Sequence, residues 1–367
     1  MLNPSLRSRV NSTKHLPCHV GNKQEQSLRS LESDALHRSR EIAPRSARND
    51  IVAPFFIISR LQLFLLILWV AAVARAAETA DQHLQRGNDL ANQRNLDAAI
   101  AEYREALRMR PGYTEAHYNL GNALWGKGDL EGAAREYQEA VRLNPDFVLA
   151  YNNLALALRA KGDLDGAIRE FQEAVRRKPD YAQAHFNLAN VLADKREYDA
   201  ATTQYREAIR LKPDSAPMHN NLALALKAKG DTDGAITEYS EAIRLRPDYA
   251  EAHYNLGSTL ADKGDLESAL AEYRLALLLK PDDAAAQNNL GLIFVEKGDL
   301  NRAIFEYRWA IRLQPKNAKA QHNLGRALEK RGDLKAALEQ YAAACQMDAS
   351  NPDYRADYSR LSESLGK

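Results

Sequence analysis

The chain has 367 residues, 45% apolar and 27% charged, with a formal net charge of +1. That is ordinary globular chemistry, long enough for one large domain or two. The charge is uneven: residues 1–77 carry 11 basic and 5 acidic side chains, the remainder 39 and 44. A mildly acidic bulk argues against a phosphate-binding groove and so against nucleic acid as partner. Two cysteines, Cys18 and Cys345, cannot build a disulfide framework or a zinc cage.

In chain order, residues 1–50 are rich in Arg and Ser and show no hydrophobic period. They read as a disordered leader or as a gene-model extension upstream of the true start, near Val52. Residues 51–77 hold an apolar run, 63–74, behind Arg60, and close on Ala74-Arg75-Ala76. A cation, a short apolar core and a small-residue end predict an export signal cleaved near Ala76, leaving a periplasmic or extracellular protein. The alternative is an uncleaved single-pass membrane anchor over 51–77, with the rest of the chain outside the cytoplasm. No cysteine stands immediately after the small-residue site, which argues against lipid attachment.

Prolines then recur at 111, 145, 179, 213, 247, 281 and 315, every interval being the same. They frame eight repeats without an insertion: 80–113, 114–147, 148–181, 182–215, 216–249, 250–283, 284–317 and 318–351. Position 8 is Gly or Ala, as Gly121 and Ala155; position 20 is always Ala, from Ala99 to Ala337. Position 24 is aromatic, from Tyr103 to Tyr341, and position 27 is again Ala. Positions 4, 7, 8 and 11 share one helical face, and 20, 24 and 27 another, so each repeat predicts two amphipathic helices of about 13 residues. The usual link is Lys-Gly-Asp-Leu, as at 127–130: Gly ends the first helix in the left-handed conformation and Asp caps the second. Asp180 and Asp248 are the expected caps of the helices that follow their prolines. Residues 352–367 read as a capping helix with Tyr354, Tyr358 and Leu361 on one side.

This grammar, with its period of about 34 residues, resembles that of the tetratricopeptide-repeat family over residues 80–351. Position 4 departs from it, being His in five copies where the family often has Trp. The resemblance implies an all-α, right-handed superhelical solenoid of eight helix-turn-helix repeats. It also implies a concave groove lined by the first helix of each hairpin. A single repeat buries too little surface to fold alone, so stability is largely a sum over neighbouring units.

Position 6, expected in that groove, is Asn in seven successive repeats: Asn119, Asn153, Asn187, Asn221, Asn255, Asn289 and Asn323. Asn is a mediocre helix former. The functional reading is a ladder of amides offering donors and acceptors to an extended peptide backbone, similar to the asparagine ladder of the O-linked N-acetylglucosamine transferase repeats. The structural reading is that the amides hold repeat geometry. A second period, two repeats long, overlays the first: repeats 2, 4 and 6 carry Tyr118, Phe186 and Tyr254 before the Asn, repeats 3, 5 and 7 a second Asn. Those aromatics either stack on ligand side chains or pack on neighbouring helices.

In the central groove the cations of a carboxylate clamp are absent except for Arg159 and Lys227. The His set is too widely spaced for a metal site, given helix separations of about 8–10 Å. No phosphate loop, nucleophile elbow or Cys/His constellation occurs. The sequence therefore predicts a non-catalytic scaffold without metal or cofactor, binding a protein or peptide partner in its groove. Its alternatives are a targeting or regulatory subunit of a separate enzyme such as a transferase, or a membrane-anchored envelope assembly factor that works through its convex face. The oligomeric state is not encoded in this pattern.

Overall fold

The computed structural model describes residues 79–366. The leader at 1–50 and the export or anchor segment at 51–77 lie outside the described residues. Within them run α1 (Ala80–Asn92), α2 (Leu96–Met109), α3 (Thr114–Lys127), α4 (Leu130–Leu143), α5 (Val148–Ala160), α6 (Leu164–Arg177), α7 (Ala182–Asp194), α8 (Tyr198–Leu211) and α9 (Ala216–Lys229). There follow α10 (Thr232–Leu245), α11 (Ala250–Lys263), α12 (Leu266–Leu279), α13 (Ala284–Glu296), α14 (Leu300–Leu313), α15 (Ala318–Arg331), α16 (Leu334–Met347) and α17 (Pro352–Ser364). There is no strand among the described residues. The chain is an all-α solenoid of eight hairpins, α1–α2 to α15–α16, closed by α17.

Two local devices make each turn. Gly128, after α3, takes φ 84°, a left-handed conformation that costs glycine no Cβ clash. Asp129 then accepts the Gly132 N–H at 2.8 Å and starts α4. Arg94 and Arg196 occupy the glycine place in two hairpins and still take φ of 62° and 63°, so the hairpin geometry overrides the side-chain preference there.

The expected caps at Asp180 and Asp248 do not form. The chain turns one residue later, so the N-caps of α7 and α11 are Tyr181 and Tyr249, neither with a side-chain cap bond. Position 34 is taken by rings because it lies between hairpins: Phe147 packs 4.8 Å from Tyr118, and the Arg246 guanidinium lies 4.9 Å over Tyr249. Asp283, Asn317 and Asn351 at position 34 do cap, whereas Ser215 makes no side-chain cap bond.

The alanines at positions 20 and 27, such as Ala201 and Ala208, are fully buried, and buried clusters cross hairpin boundaries, one running from Ala155 through Tyr205 to Leu256. The position-8 glycines allow the closest approach: a Cβ on Gly121 would sit 2.6 Å from the Tyr137 ring. First helices of successive hairpins also touch directly, as α7 with α9 and α9 with α11, more closely than any two second helices do. The stack is therefore tighter on the first-helix side, which makes that side the inner wall. At the far end Tyr354 and Leu361 of α17 are buried against the last hairpin. Tyr358, expected beside them, is exposed, because α17 presents only a narrow stripe to a single neighbouring hairpin.

Candidate binding site on the inner wall

The position-6 asparagines are wired to the hairpin before their own. Asn119 donates to Asn88 Oδ1 at 2.9 Å, Asn153 to Asn122 at 3.0 Å and Asn221 to Asn190 at 2.9 Å. Those acceptors stand at position 9. In the third, fifth and seventh repeats position 9 is Leu156, Leu224 and Leu292, and the acceptor moves to position 5. Asn187 donates to Asn152 at 2.9 Å, Asn255 to Asn220 at 3.2 Å and Asn323 to Asn288 at 2.9 Å. Asn289 donates to the hydroxyls of Tyr254 and Tyr273, both at 3.2 Å.

The position-5 amides complete relays. Asn152 donates to Asn153 at 3.1 Å, so Asn187, Asn152, Asn153 and Asn122 form one chain across three hairpins. Asn255, Asn220, Asn221 and Asn190 repeat it two hairpins further on. Tyr137 and Tyr205 close the two chains by donating to Asn122 and Asn190 at 2.8 and 2.7 Å. Burial pushes the phenol of Tyr205 well above its ordinary range, so it stays a donor.

The position-4 histidines join the two helices of a hairpin to the preceding loop. His219 Nδ1 lies 2.6 Å from Glu238 and Nε2 3.2 Å from the Pro213 carbonyl; His117 repeats this with Glu136 and Pro111 at 2.7 and 3.0 Å. Two facing acceptors favour the imidazolium, which alone donates from both nitrogens. The Glu238 hydrogen bond raises the His219 pKa above its ordinary value despite burial. At His117 burial opposes protonation, but Glu136 and the Pro111 carbonyl outweigh it. In the third and seventh repeats position 4 is Tyr151 and Gln287. There burial lifts the carboxyls of Glu170 and Glu306 above the usual range.

The two groove cations are paired across hairpins: Arg159 with Asp194 at 2.7 Å, and Lys227 with Asp262 at 2.8 Å. Beside the first pair opens a cavity of about 400 Å3, lined by Arg159, Asp194, Tyr198, Tyr205, Asn221 and Leu224 among others. Tyr198 stands at position 17, where six of the eight repeats have Leu. The cavity thus lies where the repeat departs from its own pattern.

All seven position-6 asparagines lie on the inner wall in one line, but only Asn221 lines the cavity. Asn187 is buried at 6% exposure, while Asn119, Asn221, Asn255 and Asn323 are half-buried and each donates to the preceding hairpin. Tyr118, Phe186 and Tyr254 are half-buried, each tilted against the position-24 ring of its own hairpin at 5.8 to 5.9 Å. Sequence reasoning passed over the position-9 acceptors, Tyr198 and Leu224. The signal was present, since from the second to the seventh repeat position 9 alternates between Asn or Ser and Leu in step with the two-repeat period. Among the described residues no group of His, Cys, Asp and Glu is placed to hold a metal ion, and no helix is long and apolar enough to cross a membrane.

The tetratricopeptide repeat family model matches residues 84–147, 152–216 and 288–352, and a second model described as a TPR repeat matches 224–263 and 257–298. No curated protein matches significantly. Among solved structures, the APC/C hetero-tetramer Cut9–Hcn1 is 17% identical, with TM-score 0.52, over 77% of this chain and 55% of that one. YrrB, a TPR protein with an unusual peptide-binding site, is 25% identical, with TM-score 0.46, over 52% of this chain and 98% of its own. MamA of Desulfovibrio magneticus RS-1 is 20% identical, with TM-score 0.44, over 46% and 96%. The first of these likenesses shows the fold alone.

Proposed function

Because the chain belongs to the tetratricopeptide-repeat family, whose fold is a scaffold for protein–protein interaction, we propose that it is a non-catalytic scaffold holding a peptide segment of a partner on its inner wall. The observation that carries this reading is the cavity of about 400 Å3 between α5, α7, α8 and α9, at a break in the repeat pattern. Its polar groups are arranged for backbone recognition. Arg159 and Asp194 offer one charge of each sign, the half-buried Asn221 amide borders the cavity, and Leu224 gives an apolar floor at 41% exposure. The half-buried asparagines extend the same line of donors along the wall, which suits an extended chain of little sequence demand.

A photoreactive residue at Tyr198 in the full chain identifies the partner, and calorimetry with that partner then tests the site. Leu224→Arg and Tyr198→Leu both keep the hairpin core. Leu224→Arg is expected to weaken binding about tenfold or more, with unchanged helix content. Unaltered affinity in both variants moves the site elsewhere.

The sequence of residues 51–77 further supports export, with the scaffold working outside the cytoplasm. N-terminal sequencing of the native protein checks this: a start near Ala77 is expected, and a peptide from residues 1–50 contradicts it.

A further inference from the structure

The outward stripe of each second helix is formed by positions 22, 25, 26 and 29, which share the face opposite the buried Ala and Tyr. In the first five hairpins positions 26 and 29 are a Glu and an Arg that pair within the helix, from Glu105–Arg108 at 2.7 Å to Glu241–Arg244 at 2.6 Å. The stripe changes character in the next two. On α12 these positions are Leu275 and Leu278; on α14 they are Trp309 and Arg312, with Phe305 one turn earlier. Leu278 is 75% exposed and Phe305 61%. The Phe305 and Trp309 rings stack at 6.3 Å, and a cavity of about 240 Å3 opens between the two helices, lined by Leu277, Pro281, Gln287, Phe305 and Trp309. Apolar surface left in water at about 25 cal/mol per Å2, gathered in one patch, marks an interaction surface.

Charge selects the occupant. The two stripes carry Arg274, Arg308 and Arg312 and no carboxylate, although residues 78–367 hold more acids than bases, 44 against 39. Arg312 has lost the glutamate its equivalents pair with and lies 5.5 Å over the Trp309 ring. A second copy of this chain would set arginines against arginines. The chain's own residues 1–77, with 11 basic and 5 acidic side chains, have the wrong sign. A bilayer surface is flat and leaves the cavity unfilled. We propose that the outer face of α12 and α14 docks an acidic amphipathic segment of a partner protein, one apolar side chain entering the cavity and its carboxylates meeting the three arginines. This site is separate from the inner-wall cavity, and the two can be occupied together.

The probe is a synthetic fluorescent helix with Leu at i, i+3, i+4 and i+7 and Glu elsewhere; the control keeps the Leu pattern with Lys elsewhere. Anisotropy is read on the full chain and on the variant Leu275→Glu, Leu278→Arg, Phe305→Arg, Trp309→Glu, which puts at the substituted positions the residues that the second and third hairpins carry there. The acidic helix is expected to bind, more weakly as salt rises. It should lose about tenfold or more in the variant, which keeps its helix content by circular dichroism. Should the fourfold variant not fold, Leu278→Arg alone is read the same way. Equal binding of the acidic and basic helices, or equal binding by chain and variant, overturns the proposal. So does a chain dimer in sedimentation that the substitutions dissolve, or capture by phosphatidylserine vesicles that they abolish without any peptide binding.

Discussion

The inner and outer walls of the same hairpins are held together differently. On the inner wall each position-6 asparagine from Asn119 onward bonds the preceding hairpin, and the relay from Asn255 to Asn190 crosses two boundaries. On the outer wall the Glu–Arg pairs close within one helix, a single turn apart, in solvent. The inner contacts therefore couple neighbours, and the outer ones decorate a helix without joining anything. In a stack whose stability is a sum over neighbouring units, only the first kind contributes to cooperativity. It also leaves the outer wall free to vary, which is where α12 and α14 depart from the other hairpins.

The sharpest way to break this comparison is Asn220→Ala. Asn220 is fully buried, accepts from Asn255 and donates to Asn221. Its loss leaves the half-buried amides of Asn255 and Asn221 without their shared partner and is expected to cost about 2 kcal/mol in urea unfolding. Next, a double-mutant cycle on Asn152 and Asn187 should give a coupling of about 1 kcal/mol, although the two belong to different hairpins. A coupling indistinguishable from zero would remove the claim that the wall is wired.

The third test is pH. The folded-state pKa values of His117 and His219 lie above the ordinary imidazole value. Their contribution is thus complete below about pH 6.5 and is lost as pH rises through the folded values. Melting temperature should fall from pH 6 to pH 8.5, with a smaller fall in His219→Gln. The carboxylates that face His219 are Glu238 and Glu241. The smallest effect is expected from Arg244→Ala on the outer wall, which breaks the pair with Glu241 but leaves both carboxylates facing His219; its melting curve should overlay the parent's. A loss as large as that of Asn220→Ala would equate the two walls.

Much of this architecture is legible in residue spacing, because prolines, small residues and rings repeat in one register and each has a packing reason. Ala201 and Tyr205 could be placed in the core from spacing alone. The partners of the amides could not. Asn187 and Asn221 are the same residue at the same repeat position, yet one reaches Asn152 and the other Asn190, since the acceptor depends on whether the preceding hairpin offers an amide or a leucine. Asp180 misled for a related reason: capping chemistry is local, but the point where the helix begins is set by the ring of Tyr181 between hairpins. The apolar face of α12 and α14 was overlooked because framework positions were compared and the variable outer ones were not.

The alternation of acceptors bears on how such a protein changes length. Removing or inserting a single hairpin would bring together first helices whose amides now meet different partners, and every relay through the junction would have to reroute. A doublet of hairpins can be cut out or copied with each side chain still meeting the kind of neighbour it has now. Gene duplication and deletion in this lineage should therefore proceed in doublets, and chains of related sequence should differ by even numbers of hairpins.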